Sequence, residues 1–417
     1  MSKSIVIIGS GVIGLCTAYY AMQKGHRVTI LERGAPEHDA CSLGNAGMIV
    51  PSHFVPLAAP GMVSLGLRMM FQPQSPFYVR PRLSRDLLRW GWEFCRVANK
   101  AHVERSAPLL RDLNLASRAC YEQLADLTHN EFGLVKKGLL MLCKSEQTLH
   151  EETRQAERAH QLGLPAEVLS PAQAAQIDPG LRMDIAGAVY FPQDCHLSPQ
   201  RFVAGLTREL EAGGVCFRWQ NEVIGWRTNN SRIEAALTTQ GEFEGDEYVL
   251  AGGAWSPTVI RGLRLNLPMQ AGKGYSITLP SPRQKPIVCS ILTEARVAVT
   301  PMGDSLRFGG TMEIAGLDMS INQARVQGIL QSIPRYFPEF GPEDFKDLPV
   351  WRGLRPCSPD GLPYVGRFAR YINLSAATGH AMMGISLGPI TGKIMAEILS
   401  NEPTSINIAA LDPDRYQ

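Results

Sequence analysis

The sequence predicts an α/β protein: a doubly wound, parallel-sheet domain assembled from separated pieces, with an inserted α+β part holding a mostly antiparallel sheet. Three observations predict it. A βαβ unit opens the chain, strand–turn–helix material of the same kind returns at its end, and the stretch between carries many closely spaced strands. Of 417 residues, 45% are hydrophobic and 19% charged, enough apolar mass for more than one core. At ~150 residues per domain the length suggests two or three domains. Lys+Arg 41 less Asp+Glu 39 gives a net charge of +2, which excludes a global pull onto nucleic acid.

The elements follow in order. Ser4–Ile8 is a short β-branched run, expected as a buried parallel strand. Glycines interrupt it, helical spacing resumes over Leu15–Lys24, and His26–Leu31 reads as the next strand, ending on Glu32. Gly34 to Gly61 is rich in Gly, Pro and small residues and reads as a long functional loop. Gly61–Leu124 reads as helical, with breaks around Gln72–Pro81. There Arg68, Arg80, Arg82, Arg85, Arg89 and Arg96 alternate with Met69, Met70, Phe71, Trp90, Trp92 and Phe94. Two readings stay open for it: solvent faces of ordinary helices, or a basic amphipathic surface resting on a membrane.

Strands are expected at Gly138–Cys143, Ala188–Phe191, Val215–Trp219, Glu222–Trp226, Ile233–Thr239 and Tyr248–Leu250. Pro199–Ala212 is a helix capped by Ser198. Met269–Leu279, Ile287–Leu292, Val297–Pro301 and Leu306–Gly310 form the antiparallel group, and Ser320–Tyr336 is helical. Tyr371–Ala376 is a strand and Ile385–Leu399 a helix after a glycine-rich turn. The domain boundaries follow: 1–60, 188–262 and 350–417 form the discontinuous nucleotide part, with 61–187 and 263–349 the substrate part.

The motifs carry the chemistry. Gly9-Ser10-Gly11-Val12-Ile13-Gly14 is G-x-G-x-x-G between a strand and a helix, with an acidic residue at the next strand end. Gly9 permits the turn, Gly11 lets backbone approach a pyrophosphate, and Gly14 lets helix and sheet pack closely. Free N–H groups at the helix start serve the phosphates. Glu32 accepts from ribose hydroxyls, and Arg33 adjoins it. FAD and NAD share this fingerprint. Val249–Trp255 places a strand end on a small-residue turn, with Ala251 and Gly252 as contacts, and Thr378-Gly379-His380 with Gly384-Ile385-Ser386 repeats the pattern at a helix start. A second helix N-terminus so late in the chain suits the edge of a reduced flavin, which favours FAD.

In chain order, the fingerprint, Ser42-Leu43-Gly44-Asn45-Ala46-Gly47, Ala58-Ala59-Pro60-Gly61, Ala251–Trp255, Lys273-Gly274-Tyr275-Ser276, Gly353-Leu354-Arg355-Pro356, Ser358-Pro359-Asp360-Gly361 and Thr378-Gly379-His380 resemble the FAD-dependent D-amino acid oxidase superfamily. The resemblance runs nearly the whole chain and is nearest to the bacterial D-amino acid dehydrogenases of the small-subunit type. It implies a Rossmann-type FAD-binding domain with the substrate domain's sheet over the flavin. It also implies that Ser42, Asn45, Ala46 and Gly47 pass the flavin, that Val223 meets adenine, and that Gly353 with Gly384, Ile385 and Ser386 lines the isoalloxazine. Arg355 is implied as the anchor of the substrate carboxylate, and Tyr275 as the residue closing the pocket. Glycine oxidases of the superfamily tend to carry an arginine after the G-H pair. Met382 and Met383 stand here instead and imply an apolar floor that suits a ring such as D-proline or a hydroxy-D-proline. Sarcosine oxidases can attach flavin through a cysteine, but Cys357 is off that pattern, so the FAD is expected to be non-covalent.

The implied reaction is dehydrogenation of a D-amino acid by hydride transfer from Cα to flavin N5, giving the imino or keto acid. A quinone or another respiratory-chain component is the implied acceptor. An oxygen-using oxidase of the glycine or sarcosine type and a non-catalytic flavoprotein are the alternatives. His380 either touches the flavin edge or is held by backbone hydrogen bonds. His53 is expected at solvent and Asp194 as a turn residue. Cys195 and His196 lack a second ligand pair, so no metal site is expected. Nine scattered cysteines with no C-x-x-C, no recognisable signal segment and no run of ~20 apolar residues point to the cytoplasm, with peripheral contact at the inner membrane face left open.

Overall fold

The computed structural model describes residues 1–417 apart from His38, Phe71 and Pro73. Phe71, named within the basic aromatic stretch, therefore lies outside the described residues. Six strands form the first sheet, in the order Tyr364–Arg367, Leu374–Thr378, Glu247–Leu250, Ser4–Ile8, Arg27–Leu31 and Cys216–Arg218. All neighbours are parallel except the antiparallel edge strand Tyr364–Arg367. The β-branched run at the N-terminus is buried on both faces. Ile5 and Ile7 pack with the helices Val12–Gln23, Pro199–Ala212 and Gly384–Leu399, whereas Val6 and Ile8 pack with Val223, Ile233 and Tyr248 on the other side. Strand geometry requires this division, since successive side chains leave opposite faces. The second face is covered by the antiparallel ribbon Val223–Asn229, Arg232–Thr238 and Gly241–Glu244.

The larger sheet runs in the order Val350–Cys357, Gln270–Pro280, Ser305–Ile314, Val297–Met302, Cys289–Leu292, Leu139–Cys143, Gly187–Phe191 and Glu167–Leu169. Its pairs are antiparallel except Cys289–Leu292 with Leu139–Cys143 and the short strand Phe77–Val79 with Ser305–Ile314. Phe77–Val79 lies where the sequence predicts only a break between helices. Two strands also cross the sequence boundaries. Gly187–Phe191 and Val350–Cys357 hydrogen-bond into this larger sheet, although 188 and 350 open segments expected in the nucleotide part. The reason is pairing: Val350–Cys357 runs beside Gln270–Pro280 from Ile277↔Val350 to Gln270↔Cys357.

Helices Arg85–Val97 and Lys100–Leu127 start at the caps Ser84 and Asn99, whose side chains accept N–H groups of the first turn. Helices Glu146–Gln161 and Pro171–Ile177 were not expected, though both have local start signals. Ser145 caps the first, and Ser170 with Gln173 forms a capping box on the second. The 34–61 stretch is loop, save that Met48–Ile49 pairs with Cys195–His196.

The Ser358-Pro359-Asp360-Gly361 turn fastens the C-terminus. Asp360 accepts a two-pronged grip from Arg415, Oδ2 from Nε at 2.7 Å and Oδ1 from Nη2 at 3.0 Å, and its carbonyl accepts from His102 Nε2 at 2.8 Å. The guanidinium also lies 4.0 Å over the Tyr364 ring. Burial alone would raise the Asp360 carboxyl; Arg415 wins and holds it below the usual carboxylate range. Asp360→Asn should lower stability by about 3 kcal/mol at neutral pH, read from urea unfolding. Because the folded-state value is depressed, that deficit is full above the ordinary carboxylate range and disappears as pH falls through the depressed value. An unchanged neutral midpoint would show that the pair does not hold the terminus.

Candidate active site

A cavity of about 720 Å³ runs from the fingerprint, between the two sheets, to the strand Val350–Cys357. Its first end is a cradle. Gly9 has φ +107°, and a Cβ there would sit 2.7 Å from the Ala251 carbonyl oxygen; a Cβ on Gly14 would sit 2.0 Å from the Gly9 oxygen. No side chain larger than hydrogen fits either place. The N-cap residue Gly11 of the helix Val12–Gln23 has no side chain to cap it, its first turn holds no acid, and Gly11, Val12 and Ile13 line the cavity, the Val12 N–H being also engaged by the Ser42 hydroxyl. Those N–H groups and the helix dipole suit a pyrophosphate. Glu32 Oε2 accepts the N–H and hydroxyl of Ser10, each at 2.9 Å, and Oε1 accepts the Gly34 N–H at 2.8 Å, so the carboxylate is fixed in the cavity lining. Arg33 lies 3.6 Å over the Trp255 ring, bracing the opposite wall. Val223, Ala251 and Gly252 complete this end. The residues present fit a flavin dinucleotide.

The middle of the cavity is walled by Ser42, Asn45 and Ala46 on one side and by Gly353, Gly384 and Ile385 on the other. Ser42 Oγ accepts the Val12 N–H at 3.0 Å, tying the loop to the fingerprint helix. Asn45 Oδ1 accepts the Gly47 N–H at 2.8 Å. Arg307, from the larger sheet, donates Nη1 to the Leu43 and Asn45 carbonyls, both at 2.8 Å, and Nε to Thr278 Oγ1 at 3.0 Å. It is buried, and burial pulls its pKa down to about 10. Sequence reading missed this clamp. The helix Gly384–Leu399 also begins without a side-chain cap or an acid in its first turn.

Four expected cofactor residues stand behind the wall rather than on it. Gly14, Gly47 and Gly379 make close approaches to the Gly9 and Leu197 carbonyls and to the Tyr364 ring. Ser386 donates to Asn114 Oδ1 at 2.6 Å and accepts the Val50 N–H at 3.0 Å, so its hydroxyl locks the loop to the late helix instead of facing a ligand.

Arg355 opens into the far part of the cavity. Strand pairing sets it opposite Gly272, with Gly353 opposite Gly274 on the same face. Nη1 donates to the Thr311 carbonyl, and among the described residues no carboxylate pairs with the guanidinium. Its titratable neighbours are the thiols of Cys41 and Cys357, and burial lowers its pKa. A half-buried cation with no acid partner among the described residues, facing a cavity, has the chemistry to hold a carboxylate. Met312, Met382 and Met383 give this end its apolar character.

Tyr275 does not close the pocket as expected. It contributes to the wall, but it pairs opposite Arg352, with the opposite strand parity to Gly353 and Arg355. It belongs to the larger sheet's apolar core cluster, its hydroxyl donates to Glu313 Oε2 at 2.7 Å, and it accepts the Asn322 N–H at 3.1 Å. Lys273 lies in the same buried group, Nζ 3.8 Å from Glu313 Oε2. His380 lines the cavity, yet its Nε2 lies 3.0 Å from Thr391 Oγ1, a side-chain rather than backbone partner, and burial pushes its pKa down to about 3. His53, expected at solvent, is half-buried in the cavity wall. Cys357 is a buried free thiol.

The comparisons agree with this geometry. Residues 4–398 match the profile of the family described as FAD dependent oxidoreductase, DAO. The chain is 32% identical, over 99% of both chains, to the D-amino acid dehydrogenase of Vibrio atlanticus (strain LGP32). The same identity over 99% of both chains holds for that of Granulibacter bethesdensis (strain ATCC BAA-1260 / CGDNIH1). Among solved structures, glycine oxidase from Geobacillus kaustophilus superposes with a TM-score of 0.79 at 24% identity, covering 100% of this chain and 99% of that one. L-proline dehydrogenase from P. horikoshii gives 0.72 at 17% identity, covering 100% and 98%.

Gly274 is the point at which the Arg355 site is most easily broken. A Cβ there would lie 2.2 Å from Arg355 Nη2. Gly274→Ala should therefore displace the guanidinium while leaving the cradle intact. The expected result is roughly tenfold or more weaker binding of a simple carboxylate such as benzoate, about 1.4 kcal/mol or more, followed through the flavin absorbance, with FAD content unchanged. Equal carboxylate affinity would remove Arg355 from the role.

Proposed function

The chain belongs to the FAD dependent oxidoreductase family, and on that footing we propose that it dehydrogenates a D-amino or cyclic imino acid at Cα, D-proline and hydroxy-D-proline being the substrates its apolar pocket suits. The observation that carries the reading is Arg355, a half-buried cation with no carboxylate partner among the described residues, in the same cavity as the dinucleotide cradle. The names of the curated relatives support the D-configuration. The six-stranded sheet and its loops are assigned to the non-covalently held cofactor, and the larger sheet to the substrate.

The residues' work is positioning. The fingerprint N–H groups, Glu32 and the Ser42–Ala46 loop would hold FAD, which when bound supplies the two-electron acceptor for the hydride leaving Cα. Arg355 fixes the substrate carboxylate through two parallel hydrogen bonds and keeps its charge at every working pH. Met312, Met382 and Met383 receive the aliphatic part and exclude water from the Cα–H. With acid group and side chain fixed on separate walls, only one enantiomer presents its hydrogen. The imine product is then open to hydrolysis to the keto acid. No Ser/His/Asp set is needed.

The acceptor reading rests on a surface. Leu67, Leu83, Leu88 and Trp92 are exposed on and beside the helices Met62–Met70 and Arg85–Val97, flanked by Arg85, Arg89 and Arg96. Among the described residues, no helix is long and apolar enough to cross a membrane. An amphipathic basic face of this kind suits anionic headgroups, and electrons would pass to a quinone there. In flotation with anionic phospholipid vesicles, the protein should bind, and Trp92→Asp should weaken binding by about tenfold. Absence of vesicle binding in the unmodified protein would sink this acceptor reading. Peroxide production in air without an added acceptor would favour the oxidase alternative.

The function itself is tested by anaerobic titration with paired D- and L-amino acids. The D-form should bleach the flavin. Arg355→Ala should retain FAD and bind the substrate about 2–5 kcal/mol more weakly. Bleaching by no amine would leave a flavoprotein without this activity.

A further inference from the structure

Behind the cavity wall lies a polar chain, ending on the buried Asp194, that substrate anchoring leaves unused. His53 lines the cavity and turns Nδ1 to Ser52 Oγ at 3.0 Å. Ser52 Oγ donates to Asp194 Oδ2 at 2.5 Å, and the Ser52 N–H donates to Oδ1 at 3.1 Å. Asp194 is 1% exposed, and among the described residues no cation forms an ion pair with it. The surroundings are apolar: Met48, Val50, Phe54, Leu139, Val189 and Phe191 pack in one cluster there. Two segments 142 positions apart are thus brought together to form a line of three proton-carrying groups that starts at the cavity.

We propose that His53, Ser52 and Asp194 are a proton relay that withdraws one proton from the substrate's ammonium group before dehydrogenation; the relay rests on the amine-oxidation reading above. A protonated nitrogen has no lone pair to drive hydride from Cα, so the nitrogen must be neutral first. In the step, an N–H bond of the ammonium breaks and its proton joins His53 Nε2. The Nδ1 proton passes to Ser52 Oγ, and the Ser52 hydroxyl proton passes to Asp194 Oδ2. No electrons are transferred. A cation and a buried carboxylate become a neutral amine and a neutral carboxylic acid, which a low-dielectric site favours.

The surrounding groups support this direction. Burial pushes the Asp194 carboxyl up to about 7, opposed by the two Ser52 hydrogen bonds and by Arg118. Burial pushes His53 down to about 4, so the imidazole passes a proton on rather than keeping it. The other titratable groups facing this region are Cys195 and Cys289, Arg118 and Glu122 of the helix Lys100–Leu127, and Lys136 and Lys137. His196 is also held low, at about 4, by burial and then Lys137.

The test uses the holoenzyme and its Ser52→Ala, Ser52→Thr and Asp194→Asn variants, each checked for flavin content and circular dichroism. The rate of anaerobic flavin reduction by D-proline is followed from about pH 6 to pH 10. Ser52→Ala and Asp194→Asn should lose on the order of 10²-fold near neutrality. Their rise with pH should shift upward by one unit or more, and the loss should close at the alkaline end, where the free amine exists in solution. Ser52→Thr, which keeps the hydroxyl, should retain the parent profile. Infrared difference spectra give a readout without turnover. Adding 2-aminoisobutyrate, whose Cα bears no hydrogen, at about pH 8 should produce a protonated-carboxyl band that Ser52→Ala and Asp194→Asn lack. Superimposable pH profiles for the parent and Ser52→Ala, or no such band in the parent, would overturn the relay. Failure of every amine to bleach the parent flavin would instead overturn the amine-oxidation reading.

Discussion

A half-buried arginine with no acid beside it among the described residues is the constraint around which the candidate site is arranged. Among the described residues, Arg355 has a backbone carbonyl and two neighbouring thiols for polar company, and no carboxylate. Leaving a guanidinium so poorly compensated is costly, and proteins rarely keep such a group without a use for it. Much of the larger sheet serves to hold it. The strand Val350–Cys357 presents it, paired glycines open the space it fills, and Thr311 directs one of its nitrogens. In the proposed function a substrate carboxylate would supply the missing charge on arrival and so would favour molecules with an acid group.

The second requirement is that this cation and the dinucleotide cradle keep their relative placement, although they stand on different sheets. Arg307 makes that connection: from the larger sheet it reaches across to the carbonyls of the loop that also caps the fingerprint helix through Ser42. The Ser386 hydroxyl makes a comparable link from the late helix to Val50. Both contacts are between groups that need one another's hydrogen bonds inside a dry interior, so loosening either leaves an unsatisfied partner. These polar contacts add to the apolar clusters that also join the two halves, such as the one uniting Met48, Val50 and Phe54 with Leu139, Val189 and Phe191.

How much of this was legible depended on whether the cause was local. The glycine fingerprint and Glu32 could be read because a tight turn, a helix start and a strand end lie within one βαβ unit. The Arg355 motif was readable from resemblance, and the structure gives it a physical reason. Arg307 had no local signal, since its partners lie 264 and 262 positions away. Ser52 and Asp194 were equally silent, and Asp194 passed for a turn residue. Tyr275 shows a different failure. Its strand is buried on both faces, so hydrophobicity does not reveal which way a side chain points; pairing register does, and it sends the phenol to Glu313. The helices Glu146–Gln161 and Pro171–Ile177 carried readable serine caps, and the strands at 187–191 and 350–357 joined the larger sheet because strand pairing is a tertiary choice.

The grip of Arg355 on an acid group is tested most directly by comparing D-proline with pyrrolidine, the same ring without its carboxylate, in anaerobic titrations of the flavin absorbance. Pyrrolidine should need on the order of 10³-fold higher concentration to bleach the flavin, about 4 kcal/mol of lost binding. Comparable bleaching by the two amines would contradict it.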